Sequence, residues 1–529
     1  MTTMAVLTVH TGGKTEHIQF DGEVLLADLL HGHPGLVMPC GGRHTCGKCR
    51  VKAAGGLVPA EEQELKLLGA QAAGQGIRLA CFARAIEDCE VWLQAGEDDS
   101  AVQAGFLGAV FTPDEKPGWG FAVDIGTTTV VVYLYRLGQA QPVGTIGRMN
   151  GQRRFGADVI SRIEACNQQG QPGRDEMQRS IVGQLNEMFA QALQEHTVPA
   201  SEVKRVVITG NTTMLHFLMG YDAAGIAVSP FTPQSLFGEE TAAGGLFPAL
   251  QNASLFLPRC VGAYMGADVM CAVLASGMTK KEQCSLLVDV GTNGEMALWR
   301  QGKLITCSTA AGPAFEGAEI TMGMTASRGA VNDVRLQDGK IVCTTIGDEP
   351  AKGICGTGII SAIALLLDLG IIGDSGLIEQ EDHDFTDLIG ESDEWGVFVR
   401  LGDSGVVLTQ QDVRNIQLAK AAICAGLLTL AHEAGIPMEE VQALYLCGGF
   451  GSYIDAVKAA HIGLIPAALQ QKAVAMGNGA GMGAGMALLS DQMREACTAL
   501  ALEARDIPLS ASPYFMDQYI ECMMFPEQE

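Results

Sequence analysis

Four cysteines constrain this chain more than any other feature. Cys40, Cys46 and Cys49 stand in a C-x5-C-x2-C run, and Cys81 follows after 31 further residues. Three thiols this close together, in a chain with sixteen cysteines, point to a metal site rather than to disulfides. The run lies in Met38-Pro-Cys-Gly-Gly-Arg-His-Thr-Cys-Gly-Lys-Cys-Arg50, where Gly41, Gly42 and Gly47 let the backbone wrap an inorganic core and aim N–H groups at its sulfurs. Four thiolates can hold two bridged irons, two per iron. Structural zinc also takes four cysteines but favours paired short C-x2–4-C knuckles, and one such pair exists here. A Rieske centre needs two histidines, and His44 has no second partner. The set reads as a [2Fe–2S] cluster. Cys89, eight residues past Cys81, reads as a packed core thiol.

Residues 1–95 form one small domain around that loop. Short strands are expected over Ala5 to Val9 and His17 to Phe20, about the Gly12-Gly13 turn, with a last strand near Glu90 to Leu93. Helices are expected over Val24 to Leu30 and Glu61 to Leu68. The segment resembles the [2Fe–2S] ferredoxins, its five-residue first gap being that of the adrenodoxin type, and the resemblance implies a β-grasp fold. Residues 96–118 are acidic and rich in proline and glycine at both ends, and read as a solvated connector. A flexible chain of about 20 residues spans roughly 25 Å. Its apolar middle, Phe106 to Phe111, argues that part of it docks.

The remaining residues carry a repeat. Phe121-Ala-Val-Asp-Ile-Gly-Thr-Thr-Thr-Val130 returns as Leu286-Leu-Val-Asp-Val-Gly-Thr-Asn-Gly-Glu295, so that Asp124 matches Asp289, Gly126 matches Gly291 and Thr127 matches Thr292. Each copy is an apolar strand, a turn and a second strand, which implies two related lobes, 119–284 and 285–529. A glycine turn lets backbone N–H groups approach phosphate, and Thr127, Thr128, Thr292 and Asn293 add side-chain donors. Asp124 and Asp289, at the strand ends, can hold Mg²⁺ or orient a water. The pair resembles the phosphate motifs of the superfamily of actin, the acetate and sugar kinases and the heat-shock chaperone ATPases. Leu444-Tyr-Leu-Cys-Gly-Gly-Phe-Gly-Ser452 resembles its adenosine turn, through Gly448, Gly449 and Gly451, and Met476 to Met486 resembles its closing helix. The expected fold is thus α+β for the ferredoxin-like domain and α/β for a two-lobed actin-like ATPase that binds ATP and Mg²⁺. Two glycine-bounded segments, Gly353 to Gly358 and Ala311 to Gly317 with Glu316, remain open between ligand contact and plain turn geometry. Isolated cysteines such as Cys307 and Cys424 read as core thiols.

The whole chain resembles the reductive activators of corrinoid-dependent methyltransferases, through Thr209-Gly-Asn-Thr-Thr-Met-Leu-His216, Ala310 to Gly317, Gln417-Leu-Ala-Lys420, Cys447 to Gly451 and the tail Phe515 to Pro526. That resemblance implies ATP-driven one-electron transfer from the cluster to Co(II) of a corrinoid protein, giving Co(I), with a low-potential electron donor upstream and a homodimer allowed. Some relatives carry a further domain between connector and ATPase, and this chain does not. Two other readings are an ATP-driven donor to another low-potential enzyme and a nucleotide-switched redox sensor. Activators of radical dehydratases ligate a [4Fe–4S] cluster from the ATPase domain, unlike this N-terminal set, and a sensor would show no ATP turnover stimulated by a corrinoid protein.

Charge and hydropathy narrow the partners. The formal charge is −26, from 34 basic and 60 acidic residues, so nucleic acid is an unfavourable partner. There is no run of about 18 apolar residues and no signal-like N-terminus, which leads us to expect a cytoplasmic protein with no membrane partner.

Overall fold

The computed structural model describes residues 4–11, 14–30, 49–68, 74–93, 111–381, 383–448 and 454–527, with His33, Leu36, His44, Gly47 and Ala72. Cys40, Cys46, Gly41, Gly42, Gly449 and Gly451 lie outside the described residues, as do the Gly12-Gly13 turn and residues 94–110.

In the N-terminal part, strands Ala5–Thr11 and Lys14–Phe20 pair antiparallel, and Arg84–Leu93 runs parallel to the first of them with Cys89 opposite Leu7. On its other side Arg84–Leu93 meets Arg50–Leu57, which carries Ile77–Leu79 at the sheet edge. First and last strands are thus central neighbours, as in a β-grasp. Alternation along Arg84–Leu93 buries Ala85, Cys89, Val91 and Leu93, and burial pushes the Cys89 thiol up to about 11. The expected helix over Val24 to Leu30 is shorter. Val24–Leu25 is a strand paired with Arg84 and Ala85, and only Leu26–Leu29 is helical. The amides of Leu26 and Ala27 bond the carbonyls of Ala83 and Ala80, so tertiary partners rather than helical ones set this segment. Helix Glu62–Leu68 buries Glu64 on the Arg78 guanidinium, with bonds of 2.8 and 2.9 Å, and on the Leu79 amide at 2.9 Å. A buried carboxylate paired in this way is satisfied.

The sequence repeat is a repeat of sheets. One sheet runs in the order Glu240–Ala242, Ser254–Phe256, Val203–Gly210, Trp119–Ile125, Thr129–Arg136, Gly144–Met149. The other runs Ala473–Gly477, Ala443–Cys447, Ser285–Val290, Gly294–Arg300, Lys303–Thr309, Arg505–Asp506. In both, two parallel neighbours lead into an antiparallel triplet that begins with the Asp-bearing strand. Five strands therefore correspond one to one, and only the sixth is added at opposite ends.

Helix Gly479–Leu489 joins the halves. It belongs to the C-terminal half of the chain, yet it packs on helix Ala267–Ser276 and on the strands of the first sheet. A Cβ at Gly483 would stand 2.0 Å from the Cys271 carbonyl oxygen, and one at Gly485 would stand 2.5 Å from the Tyr135 hydroxyl. The glycine spacing therefore serves backbone approach. The core here is continuous, with Ala122, Tyr133 and Val207 of one half in the same cluster as Leu287, Ala297 and Tyr445 of the other.

The end of the expected connector is docked rather than solvated. Phe111 packs against that shared core, the Asp114 amide bonds the Leu489 carbonyl at 2.8 Å, and Lys116 pairs with Asp491. In the second half, helix Gln410–Glu433 is long and apolar enough to cross a membrane. It is buried over 78% of its most apolar stretch, inside the core, and starts on a Thr409–Asp412 capping box. Its Lys420 reaches the carbonyls of Cys522 and Met524 at 2.6 and 2.7 Å, and Gln417 reaches that of Met523 at 2.8 Å. The segments Gln417–Lys420 and 515–526 thus meet. Cys424, expected to be isolated, instead shares a thiol hydrogen bond with Cys522 of this tail, both remaining free thiols.

Candidate active site

Two sites can be built upward from these elements. In the first, Cys49 and Cys81 are both buried and their sulfurs lie 3.2 Å apart, close enough to meet one iron. Gly47 has φ +61°, and a Cβ there would stand 2.9 Å from the Leu67 carbonyl oxygen, so the loop needs glycine at this point. His44 Nε2 lies 2.8 Å from the Cys81 carbonyl oxygen, and its ring stacks on Phe82. It braces the loop that carries the fourth thiol, and is not placed as a ligand. The donor set described fits an iron–sulfur cluster, and Cys40 and Cys46 would complete it.

The second site is the cleft between the two hairpins. In the first hairpin Gly126 donates its N–H to the Thr129 carbonyl at 2.9 Å. The next three carbonyls are all tied into the lobe. Asn150 Nδ2 bonds the Gly126 oxygen at 2.8 Å, an Arg162 Nη bonds the Thr127 oxygen at 2.6 Å, and the Asn150 amide bonds the Thr128 oxygen at 2.8 Å. In a trans peptide the C=O and N–H point opposite ways, so the amides of Thr127 and Thr128 are turned from the lobe toward the cleft. That is the arrangement an anion requires. Thr127 Oγ1 accepts from Asn211 Nδ2 at 3.1 Å, and Asn211 also caps helix Thr212–Met219.

The second hairpin is closed by Gly291 N–H to the Asn293 carbonyl at 3.0 Å. Asn293 bonds the buried carboxyl of Glu295 within its own lobe. Gly448 lies against this turn at φ +91°, where a Cβ would stand 2.5 Å from Asp289 Oδ1, so the third glycine motif does reach the second.

Asp124 and Asp289 face the same cleft. Burial pushes Asp124 up to about 8, helped by the charges of Asp268 and Asp289 and opposed by a bond from Asn478. Burial likewise pushes Asp289 up to about 7, with the charges of Asp268 and Glu316 adding to it. Asp268, in the first turn of helix Ala267–Ser276, is raised to about 6 by burial. Carboxylates that disfavour one another's charge form a cation-seeking site. Among the described residues no three such groups converge closely enough to ligate one ion directly.

Glu316 spans the cleft. It ends the turn Ala314–Glu316, and its Oε2 accepts from Thr128 Oγ1 at 2.8 Å and from Thr292 Oγ1 at 3.2 Å. The sequence flagged Glu316 without deciding its role. Asp268, Asn478, Arg162 and Asn150 carry no sequence signature of their own, although Asp268 stands two residues after Gly266 at a helix start and Asn478 sits inside the glycine-rich segment. The other open segment has a structural explanation. Gly358 lies where a Cβ would stand 2.1 Å from the Val331 carbonyl oxygen, so its glycine serves helix–strand packing.

Comparison with known proteins names the parts of the chain in which these residues lie. Residues 9–85 match the family model of the 2Fe-2S iron-sulfur cluster binding domain, 119–281 the RACo middle region and 283–529 the C-terminal domain of RACo, the ASKHA domain. The corrinoid activation enzyme RamQ of Eubacterium limosum is 33% identical over 78% of this chain and 71% of its own length. The chain belongs to the family of corrinoid protein activators. A [Co(II) methylated amine-specific corrinoid protein] reductase of Methanosarcina barkeri is 30% identical over 68% of each chain. The solved reductive activator for corrinoid, iron-sulfur protein superposes with a TM-score of 0.70 at 27% identity, covering 99% of both chains. The first site thus lies in the ferredoxin-type part, and the second spans the RACo middle region and the C-terminal ASKHA domain.

Proposed function

We propose that this chain passes single electrons to a corrinoid protein, returning Co(II) to Co(I) for methyl transfer, and couples each transfer to binding and hydrolysis of Mg-ATP. The observation that carries this reading is the fusion itself. One chain holds paired thiols in a ferredoxin-type fold and duplicated, facing hairpins whose amides and hydroxyls converge on one cleft. Bound in the N-terminal fold, the [2Fe–2S] group supplies a one-electron carrier, held by Cys40, Cys46, Cys49 and Cys81. In the cleft, Thr127 and Thr128 offer N–H and hydroxyl donors to phosphate, and Gly126 and Gly291 keep the turns open to it. Asp124 and Asp289 hold the Mg²⁺ shell and orient water, while Thr292 and Gly448 close the second side with Gly449 and Gly451. The cluster domain over 1–95, connector over 96–118 and lobes over 119–284 and 285–529 form the working division of the chain. The physiological donor is a low-potential reductant, and the setting is the cytoplasm.

The test is the growth of Co(I) absorbance in a corrinoid protein mixed with the reduced full chain. Fast growth with Mg-ATP, and none without it, is expected. Cys46→Ala should abolish both the cluster absorbance and the reaction, whereas Cys89→Ala should retain both. Equal rates with and without ATP would remove the coupling.

A further inference from the structure

We propose that Glu316 is an internal stand-in for the terminal phosphate: it latches the two hairpins across the cleft, and a nucleoside triphosphate must displace it. This rests on the nucleotide-binding reading above. The hydroxyls of Thr128 and Thr292 belong to different lobes, and both donate to the same Glu316 oxygen, at 2.8 and 3.2 Å. A carboxylate oxygen and a phosphate oxygen are anionic acceptors of the same kind, so they compete for these donors.

The latch is presented by a fixed turn. Ala314 and Phe315 are buried in the core of the second half, and Gly312 and Gly317 carry φ of +76° and +79° at either side. The other oxygen, Oε1, lies against Gly291, where a Cβ would stand 3.4 Å from it. The surrounding charges are unequal. The charge of Glu316 favours the charged forms of Arg153 and Arg162 and disfavours that of Asp289.

A terminal phosphate at the Thr128–Thr292 bridge would add an anion beside both carboxylates, so Glu316 rotates away as the phosphate takes its donors. A diphosphate ends one phosphate short and leaves the bridge intact. Glu316 thus makes the lobe contact a reader of the terminal phosphate.

The experiment uses the full chain with Glu316→Gln and Glu316→Ala, measuring affinity for Mg-ADP and for a non-hydrolysable Mg-ATP analogue by calorimetry. Both variants should bind the analogue about five- to tenfold tighter, the scale of one net hydrogen bond, with ADP affinity changed less than about twofold. Hydrogen exchange of residues 126–129 and 291–293 in the nucleotide-free variants should rise above the parent. The glutamine variant keeps the side-chain shape should the alanine variant fold poorly. Equal changes for ADP and analogue, weaker analogue binding or unchanged exchange would overturn the latch. A parent chain that binds neither nucleotide would overturn the nucleotide reading, and the latch with it.

Discussion

The two Asp-x-Gly-Thr hairpins share a sequence and differ in what holds them. Around Gly126, three successive carbonyls are gripped by Asn150 and Arg162, and Asn211 fixes the Thr127 hydroxyl. Around Gly291, the turn closes on itself through Asn293, and its threonine hydroxyl goes to Glu316. The first hairpin is therefore anchored by its own lobe, and it is the one proposed above as the phosphate cradle. Among the described residues, the second is held through two carboxylates, Glu295 at Asn293 and Glu316 at Thr292. A repeat fixes strand, turn and strand, while the body of each lobe decides how firmly the turn is held.

The largest effect should come from what the hairpins have in common. Asp124→Asn and Asp289→Asn should each lower ATP hydrolysis by about 100-fold or more, with the cluster absorbance unchanged. A variant hydrolysing at the parent rate would show that its hairpin is not a partner in the chemistry, and would break the equivalence.

Anchoring should separate the hairpins next. Arg162 is fully buried on the carbonyls of Gly156 and Thr127, at 2.9 and 2.6 Å. Arg162→Met leaves both carbonyls without this donor and should destabilise the protein by about 2–3 kcal/mol, read from denaturant midpoints. Asn293→Ala, which removes one bond in the second hairpin, should cost about 1 kcal/mol. Similar losses at the two positions would erase the difference in anchoring.

The acidity of the cleft gives a third comparison. Folding raises Asp124 from 3.8 to about 8 and Asp289 from 3.8 to about 7. Between the unfolded and folded values the native state holds the extra proton, so stability without metal falls as pH rises, by up to about 1.4 kcal/mol per pH unit per group. The fall should end near pH 7 for Asp289 and near pH 8 for Asp124. Asn in either place does not titrate, so each variant should flatten its own window in a series of thermal melts. Mg²⁺ competes with those protons, so Mg-nucleotide should stabilise the parent more at pH 8 than at pH 6. A pH-independent gain would exclude these carboxyls from the metal site.

The most local effect is expected at Asn150, whose Nδ2 bonds the Gly126 carbonyl at 2.8 Å. Asn150→Ala should cost about 1 kcal/mol and speed hydrogen exchange in residues 126–129 but not in 291–293. Equal acceleration in both would mean that the hairpins move as one body.

Much of this was legible in the sequence because it is written in short-range patterns. The hairpins around Asp124 and Asp289 follow from an apolar strand interrupted by glycine and threonine, and the matching sheets follow from their repetition. The ferredoxin-type domain follows from the spacing of four thiols, two of which, Cys49 and Cys81, the structure places side by side. The sequence also read a closing helix of tightly packing small residues over Met476 to Met486; the structure starts it at Gly479, with Gly483 and Gly485 closely approached by Cys271 and Tyr135.

Tertiary structure decided the rest, because the remaining partners lie far apart along the chain and have no local signature. Val24–Leu25 became a strand because Arg84 and Ala85 offer it an edge, and the connector's end docked because Leu489 and Asp491 meet it. Cys424 reads as isolated until the tail brings Cys522 to it. Asp268 and Asn478 joined the site only when two helices delivered their first turns to one cleft, and Glu316 acquired a role only when it met hydroxyls from both lobes. Sequence alone determined which groups this protein carries for holding iron and phosphate. Folding decided which of them share a charge, a donor or a cavity, because hydrogen bonds and charge coupling depend on distances in space that residue spacing does not encode.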